Sequence, residues 1–374
     1  MLKRLHVDNY RTFQNFEWSP GPVALLLGRN GAGKSALFEV LYLVRGLVWD
    51  EWLLSAVLPP DTCTRWDLRK EQSFELEVAG SDGLFKYRLV VEQDRDRGES
   101  RIVEEKLQWE NTPLFSFKAG QIQLYKDNGQ AGPSFAGNWR RSGLGTVVPG
   151  ADNKRLTWFK QWLGGLVVVR PNPANIAGRA EREDPALVPS CSNFASWYRT
   201  MWQERPQEVT QALAALGGVL DAFTGLSIRV DEQRIGWLRA TFSDPSDGID
   251  FGRRKKDISL DFDELSDGQR ALIVLYVVLH TQIDSGRTVM IDEPDNYASL
   301  DEVQPFLMEA LSRVQDCQGS QLFIISHHPE YIDQLAPDNG FVISRAGGGP
   351  SRVRRFQSGE ALAPSEIVAR ASPR

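Results

Sequence analysis

The segment GRNGAGKS at residues 28–35 constrains the fold of this chain more than any other stretch. It has the spacing G-x-x-x-x-G-K-S, with Gly28, Gly33, Lys34 and Ser35 in the four fixed places. The apolar run PVALLL comes directly before it, and the run SALFEVLYLVRGLVW, of helical length and spacing, overlaps its end. A buried strand, a glycine-rich turn and a helix in this order predict an α/β fold whose loop wraps a phosphate group.

Each fixed residue has a physical task in holding a nucleotide. Glycines allow the backbone to turn so that successive N–H groups point into one concavity, and the following helix adds the positive end of its dipole. Lys34 reaches the β- and γ-phosphates, and the Ser35 hydroxyl ligates magnesium. The alternative is an ordinary glycine-rich turn. We predict ATP and Mg²⁺ as cofactors, with nucleotide contacts from Gly28, Asn30, Gly31, Ala32, Gly33, Lys34, Ser35 and Ala36.

The segment TVMIDEP supplies two carboxylates for hydrolysis. Its apolar residues predict a core strand, and Asp292 and Glu293 follow at the carboxyl end, where α/β sheets place their ligands. We predict that Asp292 holds the magnesium ion, through water, and that Glu293 orients or deprotonates the attacking water. A solvated acidic turn after a strand is the alternative interpretation.

The segment LSDGQR predicts a second anion-binding helix tip, formed by Ser266, Gly268 and Gln269. One nucleotide cannot easily use two such tips from the same chain, but two chains facing head to tail can. We therefore predict a homodimer in which Ser266 and Gly268 of one chain cap the γ-phosphate held by Lys34 of the other. The alternative is an ordinary helix N-cap, with Ser266 and Gln269 forming a capping box.

The segment FIISHHPEY places two histidines after an apolar strand. A histidine at this strand end can contact the γ-phosphate and respond to its loss. We predict that His327 does so, with His328 as the second candidate, although a histidine at a strand end is often structural.

These motifs, in this order, resemble the ATP-binding-cassette (ABC) superfamily, and more closely its SMC/RecF/OLD branch, also described as AAA family ATPases. The resemblance covers about residues 1–50 and 255–345. It implies an α/β fold with a P-loop ABC-ATPase core, an antiparallel β subdomain and a helical insertion. The chain differs from chromosome-organising members because it lacks long heptad runs, and no Toprim-like acidic cluster follows residue 345.

The resemblance also implies roles for residues that local pattern does not identify. Arg11, in the N-terminal segment LHVDNYRTFQNFEW, is expected near the nucleotide phosphates. The family has a glutamine that contacts magnesium and the attacking water, and Gln72 is our candidate for it. The segment DEPDNYASLDE holds the position of the family's D-loop, with Ser299, Leu300 and either Asp301 or Asp295 as candidates.

Changes in sequence texture divide the chain into three predicted parts. Residues 1–60 and 255–374 have the strand and helix patterns of an α/β fold, and we predict that they form the ATPase core. Residues 61–165 contain short alternating runs separated by turn residues, which predict an antiparallel β subdomain. Residues 166–254 predict an exposed proline-rich loop at 171–190, helices with a break near Pro206, and a β hairpin. In the first core helix, the predicted buried residues are Leu37, Val40, Leu41 and Leu43.

Composition limits the partners and the compartment. The 374 residues are 41% hydrophobic and 25% charged, and no apolar run is long enough to span a bilayer, so we expect no membrane association. Three scattered cysteines favour a reducing cytoplasm. The net charge of −6 gives no general attraction for nucleic acid, which could bind only at the basic clusters Lys3–Arg4, 138–142, 253–256 and 352–355.

The sequence therefore predicts an ATP-hydrolysing switch that senses or regulates an effector protein, plausibly in bacterial anti-phage defence. A DNA-repair or chromosome-associated ATPase that grips DNA through the basic clusters is the first alternative. The second is a scaffold for an effector protein in which ATP is structural and hardly hydrolysed.

Overall fold

The computed structural model describes residues 1–243, 257–359 and 362–370. The chain forms two compact units, one made of Met1–Leu166 with Leu335–Arg374 and the other of Val167–Gln334. The antiparallel strands predicted between 61 and 165 lie in the first unit. The helices and hairpin predicted between 166 and 254 lie in the second.

The described strands, in chain order, are β1 (Leu2–Asp8), β2 (Phe16–Trp18), β3 (Val23–Leu27), β4 (Glu71–Ala79), β5 (Leu84–Asp94), β6 (Glu99–Trp109), β7 (Thr112–Lys118), β8 (Gln121–Tyr125), β9 (Ala131–Ala136), β10 (Leu166–Val169), β11 (Arg179–Ala180), β12 (Phe223–Val230), β13 (Gly236–Phe242), β14 (Ile258–Asp261), β15 (Thr288–Asp292), β16 (Gln321–Ile325), β17 (Gly340–Arg345) and β18 (Ser351–Arg355). The described α-helices are α1 (Lys34–Val48), α2 (Leu54–Val57), α3 (Lys154–Gly164), α4 (Phe194–Glu204), α5 (Pro206–Leu216), α6 (Asp267–Val278), α7 (Leu300–Asp316), α8 (Pro329–Asn339) and α9 (Pro364–Arg370).

An antiparallel sheet forms much of the first unit, with the strand order β2-β1-β4-β5-β6-β7-β8-β9. Its strands alternate as predicted: in β4, Phe74, Leu76 and Val78 are buried, and Glu75 and Glu77 lie on the more exposed face. The sheet therefore combines the predicted β subdomain with the two N-terminal strands β1 and β2.

The phosphate loop follows β3, which pairs in parallel with β17, and β17 pairs antiparallel with β18. The parallel register brings the carboxyl ends of β3 and β17 to the same edge. Helix α1 starts directly after the loop. Leu37, Val40 and Leu41 are fully buried on it, as predicted, whereas Leu43 is only half-buried.

In the second unit, β15 pairs in parallel with β16, and β10 is the other neighbour of β15. A smaller sheet contains β11, β13 and β12, with β14 also pairing with β13. Helices α4 and α5 are separated near Pro206, as predicted. The proline-rich segment 171–190 is not simply an exposed loop, because Ile176 and Ala180 are buried. Helix α6 continues into a π-helical turn at Leu279–Ile283.

Candidate nucleotide site

The glycines of the phosphate loop have the backbone conformations that the sequence pattern requires. Gly31 and Gly33 have φ values of 79° and 108°, in a region that favours glycine. A Cβ atom on Gly28 would lie 2.1 Å from the carbonyl oxygen of Ile343, so a side chain there would collide with β17. The loop therefore needs glycine both for its turn and for its close packing on a neighbouring strand.

The first turn of α1 is open to an anion. Gly33 is its N-cap residue and provides no side-chain hydrogen bond, and no acidic residue lies in the first turn. The backbone N–H groups at a helix start have no partner within the helix, and they carry the positive end of its dipole. Ser35 and Asn30 are exposed at this end. This arrangement suits a phosphate group.

Lys34 lies on the inner side of the loop, where its residue is only 7% exposed. Its Nζ donates to the carbonyl oxygens of Gly28, at 2.6 Å, and Arg29, at 3.4 Å. These bonds hold the ammonium group against the loop backbone. An ammonium group in this position can transfer its donors to phosphate oxygens when a nucleotide binds.

The hairpin of β17 and β18 contacts the phosphate loop through hydrogen bonds. Sequence analysis did not predict these contacts. The Ser351 hydroxyl donates to the carbonyl oxygen of Ala32 at 2.6 Å. Arg345 donates to the carbonyl oxygens of Gly31 and Gly349, at 3.3 and 2.8 Å. Neither residue stands in a motif, so only the pairing of β17 with β3 reveals their role.

Arg11 has a left-handed backbone conformation, with a φ of 50°. Its guanidinium donates to Glu39 of α1 and, at 3.2 Å, to the hydroxyl of Tyr10. The structure thus places Arg11 against the second turn of the helix that follows the phosphate loop. Its contact with phosphates remains a prediction.

Gln72 is fully buried inside the first unit. Its Nε2 donates to the carbonyl oxygen of Asn9 at 2.9 Å, and its Oε1 accepts from Gln93 at 2.7 Å. Both ends of the amide are therefore used inside the protein. This geometry supports a structural role for Gln72 and does not favour the predicted role as a magnesium ligand.

The acidic pair lies at the end of β15, as predicted. Asp292 is 4% exposed. The Nε of Arg170 lies 3.7 Å from its Oδ2. The carboxylate of Asp292 and the exposed hydroxyl of Ser35 are both hard oxygen donors, the type that Mg²⁺ prefers. The donor chemistry of the predicted ligands therefore fits this ion.

Glu293 has a strained backbone at the end of the strand. Its φ is 55°, a left-handed conformation that is uncommon for a residue other than glycine. Its N–H donates to the carbonyl oxygen of Ile325 at 2.8 Å, and its Oε2 accepts from Asn296 at 2.6 Å. Strain of this kind is concentrated at functional sites, which agrees with a catalytic carboxylate.

The Ser266 helix tip has the capping box of the alternative interpretation. The Ser266 hydroxyl accepts from the N–H of Gln269 at 3.2 Å, and the Gln269 side chain accepts from the N–H of Ser266 at 3.0 Å. A Cβ atom on Gly268 would lie 2.6 Å from the carbonyl oxygen of Tyr297, in the segment that follows Glu293. Gly268 therefore permits close packing between this tip and the acidic segment of the same unit.

The two histidines differ in their surroundings. His327 is exposed just beyond the end of β16. His328 is half-buried, and its Nδ1 accepts from the N–H of Glu330 at 3.2 Å. His328 thus takes part in the start of α8, and the exposed His327 remains the better candidate for a phosphate contact.

The basic clusters have mixed surroundings. Arg4 contacts three glutamates, Glu17, Glu75 and Glu77, so its charge is compensated. Arg140 stacks on Trp139, with its guanidinium carbon 4.6 Å from the ring centroid. The cluster at 253–256 lies outside the described residues. Among the described clusters, the charge of Arg4 is thus neutralised, whereas the stacked pair of Trp139 and Arg140 places a cation beside an aromatic ring.

Sequence comparison places the chain near one family and one curated relative. Residues 179–333 match the family described as "AAA domain, putative AbiEii toxin, Type IV TA system". The chain is 25% identical over 347 residues to an OLD nuclease of Thermus scotoductus. This match covers 89% of the chain but 60% of the relative, so the chain spans less than two thirds of that protein.

Solved structures with the same fold are heads of SMC proteins. An SMC head bound to the C-terminal winged-helix domain of ScpA matches with a TM-score of 0.56 and 13% identity, covering 94% of this chain and 97% of that one. The SMC head domain of Thermotoga maritima matches with a TM-score of 0.50 and 13% identity, covering 96% and 99%. These likenesses show the fold.

The sequence comparisons bear on the family resemblance, and the structure comparisons bear on the fold. They confirm the resemblance to ABC-type ATPases of the SMC/OLD-like branch, and the mixed α/β fold with its antiparallel sheet matches that of SMC heads. Among the described residues, no helix is both long and apolar enough to cross a membrane.

Proposed function

We propose that this chain, which resembles the ABC-type ATPases of the SMC/OLD-like branch, binds and hydrolyses Mg-ATP in a head-to-tail homodimer. The hydrolysis cycle switches or senses a partner protein. The observation that carries the proposal is the phosphate loop, in which an uncapped helix start, left-handed glycines and the buried Lys34 form a cradle for phosphate.

The chemistry divides among a few residues of the chain. Lys34 and the loop amides bind the β- and γ-phosphates and stabilise the charge that develops on them. Ser35 and Asp292 would hold magnesium, which supplies further charge neutralisation when bound. Glu293 orients and deprotonates the attacking water, and its hydrogen bond from Asn296 fixes the side chain for that task.

The dimer completes the proposed site. Ser266 and Gly268 of the partner chain would contact the γ-phosphate, and His327 would respond to its loss. The proposal is supported by the order of the motifs and by the exposure of Ser266 and His327. Hydrolysis would remove the group that joins the two chains, so the dimer would open after each turnover.

A partner protein is supported by two kinds of relative. SMC heads are solved in complex with ScpA, and the matching family is named for a putative toxin of a toxin–antitoxin system. We propose anti-phage defence as the setting, with an effector protein as partner. DNA binding is the second candidate function, favoured by the stacked pair of Trp139 and Arg140.

Phosphate release and particle mass test the proposal together. We expect ATP hydrolysis that requires Mg²⁺, and a doubling of mass in light scattering when ATP is added to the Glu293→Gln variant. Hydrolysis that is stimulated by duplex or single-stranded DNA would favour the second candidate. Nucleotide binding without turnover or dimer formation would contradict the proposal and favour an ATP-stabilised scaffold.

A further inference from the structure

Arg170 places a guanidinium group beside the carboxylate that the proposed function assigns to magnesium. Its Nε lies 3.7 Å from Oδ2 of Asp292. The contact arises because Arg170 directly follows β10, the neighbour of β15, and Asp292 is the last residue of β15. The Asp292 side chain is 5% exposed, whereas that of Arg170 is 63% exposed. An exposed cation thus faces a buried anion.

The backbone around Arg170 is fixed even though its side chain is exposed. The N–H of Arg170 donates to the carbonyl oxygen of Pro189 at 2.6 Å, and that of Asn172 donates to Ser190 at 3.4 Å. Pro171 and Pro173 flank Asn172, and each proline ring restricts its own φ angle. The segment therefore provides a rigid base from which the long arginine side chain can move toward Asp292 or away from it.

The geometry of the pair indicates that it can be displaced. A distance of 3.7 Å is too long for a direct hydrogen bond, so the pair relies on charge attraction alone. A carboxylate as buried as that of Asp292 is stabilised by a nearby positive charge, because burying an uncompensated charge is unfavourable. Mg²⁺ carries twice the charge of a guanidinium and binds a carboxylate oxygen at about 2.0–2.1 Å. The two cations compete for the same anion.

We propose that Arg170 is a positioning residue that holds the Asp292 carboxylate in the metal-free protein and must release it before Asp292 can serve a divalent cation. Arg170 thereby sets the cation concentration at which Asp292 is occupied. The inference rests on the proposed function only in assigning Asp292 to magnesium. It uses contacts inside the second unit alone.

Metal binding to the nucleotide-free protein is the direct test, with Mn²⁺ as the probe and electron paramagnetic resonance as the readout. We expect Arg170→Ala to bind Mn²⁺ roughly threefold to tenfold more tightly than the parent, since the competing charge is gone. Arg170→Lys keeps a cation and should stay near the parent. Asp292→Asn should remove the binding in either background.

Arg179→Ala is the matched control, because it removes the same charge from an arginine that pairs with Glu181 instead. It should leave Mn²⁺ affinity unchanged. Equal or weaker Mn²⁺ binding by Arg170→Ala, or an equal gain in the Arg179→Ala control, would overturn the inference. Should the alanine variant not fold, Arg170→Gln removes the charge while keeping a side chain of similar length, and the same outcomes apply.

Thermal unfolding gives an independent readout of the pair. Metal-free Arg170→Ala should unfold at a lower temperature than the parent, and added Mg²⁺ should raise its unfolding temperature by more than it raises that of the parent. In the Asp292→Asn variant, the further substitution Arg170→Ala should lower the unfolding temperature by less, because the buried charge is already gone. Effects that are the same in both backgrounds would show that Arg170 does not act through Asp292.

The nucleotide experiment separates this inference from the proposed function. In Arg170→Ala, the Mg²⁺ concentration that half-saturates binding of a fluorescent ATP analogue should fall by the same factor as the Mn²⁺ constant. If the parent binds no nucleotide while the Mn²⁺ shift is seen, the proposed function fails and the role of Arg170 stands. If nucleotide binding is normal and neither metal response changes, only the role of Arg170 fails.

Discussion

The starts of helices α1 and α6 are built in opposite ways. Gly33 caps α1 without any side-chain hydrogen bond, so no capping side chain stands between this helix start and a ligand. Ser266 caps α6 with a complete capping box, so a side chain of the protein already binds the N–H of Gln269 at this helix start. The difference shows that α1 is organised to receive an anion directly, whereas α6 would have to recognise one with a group that the cap leaves unused.

The chemistry of the serine hydroxyl identifies that group. The Ser266 Oγ accepts a hydrogen bond from Gln269, which uses a lone pair and leaves the O–H free to donate. The capping box therefore fixes the position of the Ser266 hydroxyl and leaves its O–H group able to donate to a ligand. In this view α1 binds the nucleotide in a single chain, and α6 acts only when a second chain presents a triphosphate.

The largest effect should follow from Lys34→Ala at the start of α1. The variant removes the cation that the loop holds for phosphate, so nucleotide affinity should fall by roughly 100-fold or more. Isothermal titration calorimetry would measure this loss. Lys154→Ala removes the same charge from the exposed start of α3 and should bind nucleotide like the parent. Comparable affinity in the Lys34 variant would show that α1 is not the primary site.

Glu293→Gln should lower hydrolysis by about 100-fold while leaving ATP binding intact, because the amide cannot deprotonate water. The hydrogen bond from Asn296 should keep the substituted side chain near its position. Phosphate release and nucleotide titration would be measured together, and the trapped state should be a dimer. Equal hydrolysis rates in variant and parent would contradict the assigned role.

Two substitutions of Ser266 separate capping from phosphate recognition. Ser266→Ala removes the cap and should cost about 1 kcal/mol of stability, whereas Ser266→Asp keeps a cap of similar strength. Both should retain nucleotide binding by α1 and lose ATP-dependent dimerisation, with hydrolysis lowered by about tenfold or more. The Asp variant is decisive because its charge repels phosphate. If it dimerises and hydrolyses ATP normally, Ser266 is only a helix cap.

The remaining prediction concerns stability and not nucleotide binding, at the far end of α6, where the π-helical turn carries the buried His280. Burial, and then the charge of Arg313, lower the pKa of this imidazole from 6.5 to about 3, and Nε2 lies 3.3 Å from Glu309. Below pH 6.5 the unfolded chain therefore binds a proton that the folded protein does not. The free energy of unfolding should fall as the pH decreases from 6.5 toward 3.

His280→Phe should remove this contribution because phenylalanine does not titrate. We expect the parent to lose up to about 2 kcal/mol between pH 7 and pH 5 from this group, and the variant to lose less. Urea unfolding at the two pH values would measure the difference. A parallel pH dependence in both proteins would show that His280 is not the responsible group.

Sequence reasoning succeeded where function depends on residues that are adjacent in the chain. The phosphate loop and the acidic pair after β15 each lie within a short segment, and the structure gives each the predicted position. At Ser266 the structure has the capping box of the alternative interpretation. It was less successful for Gln72, because a glutamine at the start of a strand can face a ligand or the interior. Here Asn9 and Gln93 take both ends of its amide.

Arg170 was missed although a weak signal was present. It follows the apolar run LVVV, just as Asp292 ends a buried strand, so both residues stand at strand ends. Neither the segment around Arg170 nor that around Asp292 indicates which strand lies next to β15. The proline-rich stretch after Arg170 predicts an exposed loop, and this prediction gives no sign of the backbone hydrogen bonds from Arg170 and Asn172 to residues 189 and 190.

The sequence by itself determined the kind of fold, the position of the phosphate loop and the residue types available for hydrolysis, because glycine conformations, helix starts and strand ends are set by neighbouring residues. Only the tertiary structure decided that β10 lies beside β15, that Arg170 therefore faces Asp292, and that Gln72 turns inward. These outcomes depend on contacts between residues far apart in the chain, and such contacts are fixed by the packing of whole strands.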